Sequence, residues 1–358
     1  MITAIVFIII LAVLIFVHEL GHFLVAKKFG IKVEEFGFGF PPRIWGIKKG
    51  ETVYSINWIP FGGFVKIFGE DGGDRKDKRS FISKKIWQRA SVLLAGAAMN
   101  VVLAVLLLSL GFMIGLPWSI DDSENIIGAK VQITQIALGS PAESAGLKAG
   151  DIILGASSQT GKLGSLEKVV DFQDFIEKNK GQEVLLDLKR GQDILTFKLI
   201  PRVSPPVNEG AMGVGLARVS EVVFPWYRAI WEGFITTFNL IWLTLSSLGA
   251  LIWQLFSHGR VAGEVTGPVG IYSITGQAAQ MGFIYLLQLA ALLSINLAVI
   301  NVFPFPALDG GRVLFLLIEK IKGSPVSEQV EKTIHSAGFV FLILLMVVVA
   351  FKDIVKLF

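Results

Sequence analysis

His18-Glu19-Leu20-Gly21-His22 sets two histidines four residues apart with a glutamate beside the first. On a helix, positions i and i+4 share one face, about 6 Å apart along the axis. Imidazoles so placed can hold one metal ion, and Glu19 stands where it can take a proton from a water that the metal has made acidic. With average residue usage, a chain of this length contains such a match by accident about 1% of the time. Inside an apolar run the accident is rarer still, because ionisable groups are costly in lipid. The chain has no cysteine, which excludes thiolate ligands and disulfides, and only two further histidines, His258 and His335, both in polar segments. A catalytic zinc ordinarily has three protein ligands and one open position. The better third candidate is Asp309, within Asn301-Val302-Phe303-Pro304-Phe305-Pro306-Ala307-Leu308-Asp309-Gly310-Gly311. There an apolar run is broken by prolines and glycines next to a carboxylate, and unwound backbone at membrane depth is tolerated where it lines a polar cavity. By itself the segment reads equally well as a helix end with a turn-forming Asp-Gly.

The elements that must position these groups belong to a membrane protein. Of 358 residues 53% are hydrophobic and 17% charged, which points to a polytopic chain. The net charge of +4 is explained by membrane topology, and no nucleic-acid partner is expected. Ile2 to Ala26 is long enough to span a bilayer and lacks the marks of a removable signal peptide. Lys27-Lys28 follows it, so the positive-inside rule puts residue 27 in the cytoplasm and the N-terminus outside. Lys32 to Lys66 reads as short strands that dip into the membrane face, and Glu70 to Arg79 as a solvated loop. A second span covers Ala90 to Leu116, with Gly96, Ala97 and Ala98 as small residues for helix contact. Residues 117–205 change to mixed charge and short strands: 129–136, 184–188 and 195–199, with a helix opened by Ser140-Pro141, a turn at Gly146 to Asp151 and a second helix at 170–177. Pro201 to Asn208 reads as the linker that closes this soluble α+β module. Phe224 to Phe256 is apolar apart from Arg228 and Glu232, Phe283 to Phe303 is a cleaner span, Gly323-Ser324-Pro325 opens a polar helix, and Ile334 to Ala350 is the last span.

Together His18 to His22 and Asn301 to Gly311 resemble the site-2 protease family of intramembrane zinc metalloproteases, in its RseP-like branch. Phe61-Gly62-Gly63-Phe64-Val65 and Gly267-Pro268-Val269-Gly270 are similar to that family as well, and the likeness runs over essentially the whole chain. The resemblance implies Zn2+ as cofactor, with His18, His22 and Asp309 as ligands and Glu19 as general base. It implies that Asn301 holds the substrate backbone or stabilises the oxyanion. It implies that Gly37, Phe38, Gly39 and Phe40 belong to a membrane-associated β-hairpin that takes the substrate as an added strand. The fold implied is a polytopic α-helical membrane protein of four transmembrane helices, with that hairpin and an inserted α+β PDZ-like domain. Its parts are 1–116 (spans 2–26 and 90–116, hairpin 32–68), the extracytoplasmic PDZ-like domain 117–205, a membrane-associated or re-entrant region 206–282, and 283–358 (spans 283–308 and 334–356). The partners implied are the lipid bilayer and transmembrane protein substrates of the anti-sigma-factor or signal-peptide-remnant kind, with the PDZ-like domain contacting substrate or partner C-termini. Some relatives carry two such domains in tandem; here a single one is expected.

The ligands constrain topology. His18 lies nine residues before cytoplasmic Lys27, so Asp309 must reach the same depth and the span before it must run inward. Residues 117–282 must then begin and end outside, Phe224 to Phe256 cannot cross once, and it lies on the outer surface or forms part of a re-entrant pair. Both termini fall outside, in a bacterial cytoplasmic membrane. Two other classes compete. A metal-binding transporter would use intramembrane His, Glu and Asp as an ion path, but a closed two-His, one-Asp group with Glu19 suits hydrolysis better. An inactive PDZ scaffold would be expected to lack Glu19.

Overall fold

The computed structural model describes residues 2–70, 72, 76–123, 128–164, 166–191, 193–206, 209–258 and 266–355, without the side chains of 60, 61 and 258. Parts of the expected 70–79 loop, Val207 and Asn208 of the expected linker and residue 356 of the last expected span lie outside the described residues.

The first apolar run forms α1 (Ile2–Lys28), which has no interior breaker and stops at Gly30, whose φ of +64° suits only a residue without a side chain. Two long strands follow, β1 (Val33–Lys49) and β2 (Thr52–Ile67). They are more than a hairpin. The outer half of β1 pairs with the start of β2 (Gly46 with Ser55, Lys49 with Thr52), but both strands bend back. Gly37 therefore faces Ser55 on one side and Phe64 on the other, and Phe38 faces both Ile56 and Gly63. The result is a curled sheet of four strand segments in which Glu35–Phe38 is internal. Of the residues expected in the substrate-taking hairpin, Gly37 and Phe38 already have strand neighbours on both sides, and Phe40 pairs with Ile59 alone.

Next comes α2 (Ile86–Ile114), which crosses α1 at backbone contact distance. A Cβ on Gly21 would lie 2.3 Å from the Ala95 carbonyl oxygen, so only glycine permits the approach.

The soluble module is built from β3 (Leu116–Ser119), β4 (Lys130–Ile136), α3 (Pro141–Ser144), β5 (Ile152–Ser158), β6 (Gly161–Leu163), α4 (Val169–Lys178), β7 (Val184–Arg190), β8 (Asp193–Leu199) and β9 (Val214–Val222). Its sheet runs β3-β9-β4-β5-β7-β8, with β6 beside β5. The boundary expected at 205 falls short, because β9 returns after it and pairs with both β3 and β4. Alternating strand residues Val131, Ile133, Leu186 and Leu188 pack on Phe172 and Ile176 of α4, which gives the module its own core. Ser140 caps α3 by accepting the Glu143 N–H, and buried Asp151 closes the turn with a two-point contact to Arg190 at 2.7 Å.

The chain then forms α5 (Trp226–His258), α6 (Pro268–Met281), α7 (Phe283–Val302), α8 (Asp309–Lys322) and α9 (Glu328–Val355). Five of the helices (α1, α2, α5, α7 and α9) are long and apolar enough to cross a membrane by length and composition. They share two ends. At one, Ala26, Ile31, Val33, Phe81, Val92 and Leu316 pack together. At the other, Phe112, Leu116, Phe224, Ala229 and Ile284 do, so the segment inserted between α2 and α7 leaves and returns at the same end. From there α5 does not lie across the surface, as one of the two expected arrangements had it. It runs back along α2: Gly233 touches Ser109, Leu240 packs near Ala104 and Ile295, and Thr244 reaches Asn296 at 3.4 Å. Asp353 of α9 accepts the N–H groups of Gly267 and Gly270 at 3.0 and 2.8 Å, capping α6 from another helix. The soluble module is tied to this end by Gln132, whose amide bonds the Tyr285 hydroxyl of α7 at 2.8 and 3.0 Å.

Candidate metal centre

Both histidines project from α1 toward α2 and the start of α8, and both are buried. His18 Nε2 lies 3.1 Å from Asp309 Oδ2, His22 Nε2 lies 3.4 Å from the same oxygen, and the two Nε2 atoms are 3.2 Å apart. Donors about 2.0–2.1 Å from a common tetrahedral centre stand about 3.3 Å from each other. The three atoms are thus spaced as three corners of such a site, and the fourth corner is left for water or substrate. Among the described residues His335, on α9, is not part of this group, and the side chain of His258 lies outside the described residues.

The surroundings fit a metal as well. His22 Nδ1 donates to the Val92 carbonyl at 2.8 Å, which leaves Nε2 as the basic nitrogen. His18 Nδ1 faces the side-chain amide of Asn100 at 3.3 Å. Asn100 is fully buried and its Oδ1 has no hydrogen-bond partner with the amide as placed. Amide oxygen and nitrogen are assigned by their partners. With Oδ1 turned to His18, the orphaned acceptor takes the Nδ1–H and Nε2 is freed for the metal. Ser294 Oγ in turn donates to the Asn100 carbonyl at 2.8 Å, locking that turn of α2 to α7.

Gly96 explains how α2 makes room. A Cβ there would lie 2.4 Å from His22 Nε2 and 2.7 Å from His18 Nε2, in the space the ligands and their metal share. The sequence reading took Gly96 as a helix-contact residue; its face is the metal site itself. The glycines after Asp309 have a similar task. A Cβ on Gly310 would lie 2.2 Å from the Val302 carbonyl oxygen, and one on Gly311 2.3 Å from that of Phe305, so the loop can fold onto the first turn of α8 only without side chains there.

Glu19, His18, His22 and Asp309 line one cavity of about 550 Å³, walled by Phe64 to Glu70 and by Ala307, Leu308 and Arg312. Arg312 and Glu70 form an ion pair across its rim. One wall is a strand edge. Phe68 N–H donates inward to the Lys32 carbonyl, so by the period of two Phe64 and Lys66 also pair inward, and Gly63 and Val65 turn their N–H and C=O outward. A Cβ on Gly63 would lie 3.5 Å from Glu19 Cγ, which puts this edge against the glutamate. Asn301 sits in the last turn of α7, half-buried, and is not among the residues that line the cavity. Gly37 and Gly39 are buried, Phe38 is half-buried and Phe40 is exposed, all off the cavity. Asn100 carried no chemical signal in the sequence, Gly96 only that of a helix contact, Phe64 and Val65 only that of the resemblance, and His335 stood as a spare histidine without a role.

A helical membrane core holding two imidazoles, a carboxylate and an adjacent glutamate in one cavity defines a membrane-embedded metallopeptidase. The profile of peptidase family M50 matches residues 6–345. A putative zinc metalloprotease of Clostridium perfringens is 38% identical, covering 96% of this chain and 95% of its own. The regulator of sigma-W protease RasP of Bacillus subtilis is 31% identical with 99% of both chains covered, and a putative zinc metalloprotease of Nostoc is 35% identical with 97% and 94% covered. The chain belongs to peptidase family M50, the site-2 proteases. Two imidazoles and a carboxylate suit zinc, the metal named in those relatives.

Proposed function

We propose that the protein hydrolyses peptide bonds of membrane-protein segments at the depth of the metal centre, in the manner of regulated intramembrane proteolysis. The observation that carries this is the shared cavity: three ligand atoms, a glutamate and an outward-turned strand edge face one space. His18, His22 and Asp309 would hold zinc. Zinc when bound supplies Lewis acidity, which polarises a scissile carbonyl and makes water acidic. Glu19 accepts the proton of the attacking water and returns it to the leaving amine. A helical substrate hides its carbonyls, so it must unwind. Gly63 and Val65 offer it replacement hydrogen bonds as an added strand, the task first expected of Gly37 to Phe40. Asn301 is assigned the substrate backbone or the oxyanion by resemblance alone.

The soluble module carries a second groove, about 340 Å³, between α4 and β9. Its position suits a PDZ-like domain that takes an extended C-terminus of substrate or partner beside Val214 and Leu216. Four full spans, with α5 and α6 as a re-entrant pair, fit the common end of α2, α5 and α7. The opposite end carries Lys27, Lys28, Lys320 and Lys322, which supports a cytoplasmic face there and both termini outside. Its relatives are bacterial, which supports a cytoplasmic membrane, and the sigma-W name of one supports an anti-sigma-factor type of substrate, with signal-peptide remnants as the other class.

The test is cleavage of a single-span substrate in detergent by wild type and Glu19→Gln, with zinc measured on the same samples. Cutting by wild type alone, with about one zinc in both, supports the reading. Equal cutting by both removes Glu19 from the chemistry, and a zinc-free wild type that still cuts removes the metal.

A further inference from the structure

Asp309 is delivered by a short loop between α7 and α8, and that loop has one irregular residue. Ala307 has a φ of +76°, and it is the only non-glycine residue with positive φ among the described residues. A side chain disfavours this backbone, so surrounding contacts must impose it. The contact that does so comes from α9. The Ala307 N–H donates to His335 Nδ1 at 2.9 Å, across 28 residues of sequence. The ring of His335 rests on Phe315 of α8 at 5.4 Å, so the same imidazole touches the loop before Asp309 and the helix that Asp309 begins. One turn along α9, Gly338 closes on the loop: a Cβ there would lie 2.5 Å from Pro306 Cβ and 2.7 Å from the Pro306 carbonyl oxygen. Much of the rest of α9 is exposed, including Phe339, Val340, Leu344 and Val347, and its far end is tied to α6 through Asp353. The hydrogen bond from Ala307 N–H to His335 Nδ1 is a direct polar contact between α9 and the loop.

We propose that His335 is a positioning residue of the metal centre: by accepting the Ala307 N–H it holds the loop in its left-handed turn and so aims the Asp309 carboxylate at His18 and His22. The assignment rests on the reading of those three residues as the metal ligands. His335 itself touches neither metal nor substrate. Its Nδ1 acts as an acceptor, so what the loop requires of position 335 is an acceptor at that place, not an imidazole ring.

Full-length protein in nanodiscs gives the test. Zinc affinity is measured by chelator competition, the cobalt-substituted protein gives a visible spectrum that reports ligand geometry, and cleavage gives kcat and KM. His335→Ala is expected to weaken zinc binding about 10- to 100-fold, the usual effect of losing a partner behind a ligand, to alter the cobalt spectrum, and to lower kcat more than KM. His335→Asn keeps an oxygen near the place of Nδ1 and is expected to restore most of the affinity. Ala307→Gly removes the side chain that resists the turn, so adding it to His335→Ala is expected to recover part of the loss. A His335→Ala protein with wild-type zinc affinity and cobalt spectrum overturns the proposal, as does a double variant no better than His335→Ala together with failure of His335→Asn. A wild type that binds no zinc overturns the metal reading as well and is a separate result. If His335→Ala does not fold, His335→Asn decides: wild-type affinity supports the acceptor role, and a folded protein with lost affinity refutes it.

Discussion

Two strand edges in this molecule are open beside a cavity, and they differ in what stands opposite. In the curled sheet, Val65 lines the metal cavity and Gly63 stands against Glu19, both at the outward parity of β2. In the soluble module, the Arg218 carbonyl accepts the Ile120 N–H, so Leu216 and Val214, at the same parity of β9, also point away from β4, toward α4. Opposite them stand Phe172, Gln173, Ile176 and Glu177, and among the described residues no group of three metal-ligating side chains gathers there. The same backbone geometry can bind an extended chain in both places. Only the first puts that chain within reach of a base and a metal. On the proposed function, capture and turnover are separated in space, and a substitution can strike one without the other.

The largest effect should come from the chemistry at the first edge. Glu19→Gln removes the proton acceptor while leaving shape and ligands, and cleavage is expected to fall about 10³-fold or more with zinc content unchanged. Loss of zinc along with activity would show that Glu19 supports the ligands and not only the reaction. Gly96→Ala should come next, and through the metal: its Cβ would sit in the ligand space. Zinc affinity is expected to fall about 100-fold, read by chelator competition, and normal affinity would mean that α1 and α2 can separate at no cost.

The third prediction sharpens the comparison within the curled sheet. Val65→Pro deletes an outward N–H, which an edge strand tolerates, and cleavage of a helical substrate is expected to slow about tenfold with the protein folded. Phe38→Pro strikes a strand segment with neighbours on both sides and is expected to destabilise the protein by about 1–2 kcal/mol or more. Thermal melts of both variants separate the two. If Val65→Pro melts like Phe38→Pro, Val65 is not at an open edge.

What the sequence revealed follows the same division. His18, Glu19 and His22 were legible because their chemistry lies in side chains at a fixed spacing, and an apolar run makes any accident costly. Asp309, far along the chain, was singled out by its broken apolar run and by the resemblance. That Gly37 and Phe38 have neighbours on both sides was not legible, because strand runs show where extended chain is, while the bending of β1 and β2 that puts Glu35–Phe38 inside is set by pairing between distant residues. The module boundary at 205 failed for a like reason: β9 follows a proline-rich stretch that looks like a linker, and only its pairing with β3 and β4 shows that it belongs to the sheet. Gly96 and Asn100 were silent because a missing side chain and a neutral amide acquire meaning only from what packs against them.

The smallest effect is expected at the second edge, and it tests the comparison most directly. Leu216→Pro removes an N–H that points toward α4 and leaves the inward pairs of β9 with β4 intact. The module should stay folded, because its core of Val131, Ile133, Phe172, Leu186 and Leu188 does not depend on that donor. The metal cavity is untouched, so zinc content and kcat on a short single-span substrate should match wild type. On a substrate whose free C-terminus reaches the groove, KM is expected to rise about threefold to tenfold, in line with one or two lost backbone hydrogen bonds at about 0.5–1.5 kcal/mol each. A change in kcat with KM constant would mean that the groove acts on the chemistry, through the Gln132–Tyr285 contact to α7, and the separation of capture from turnover would then be wrong.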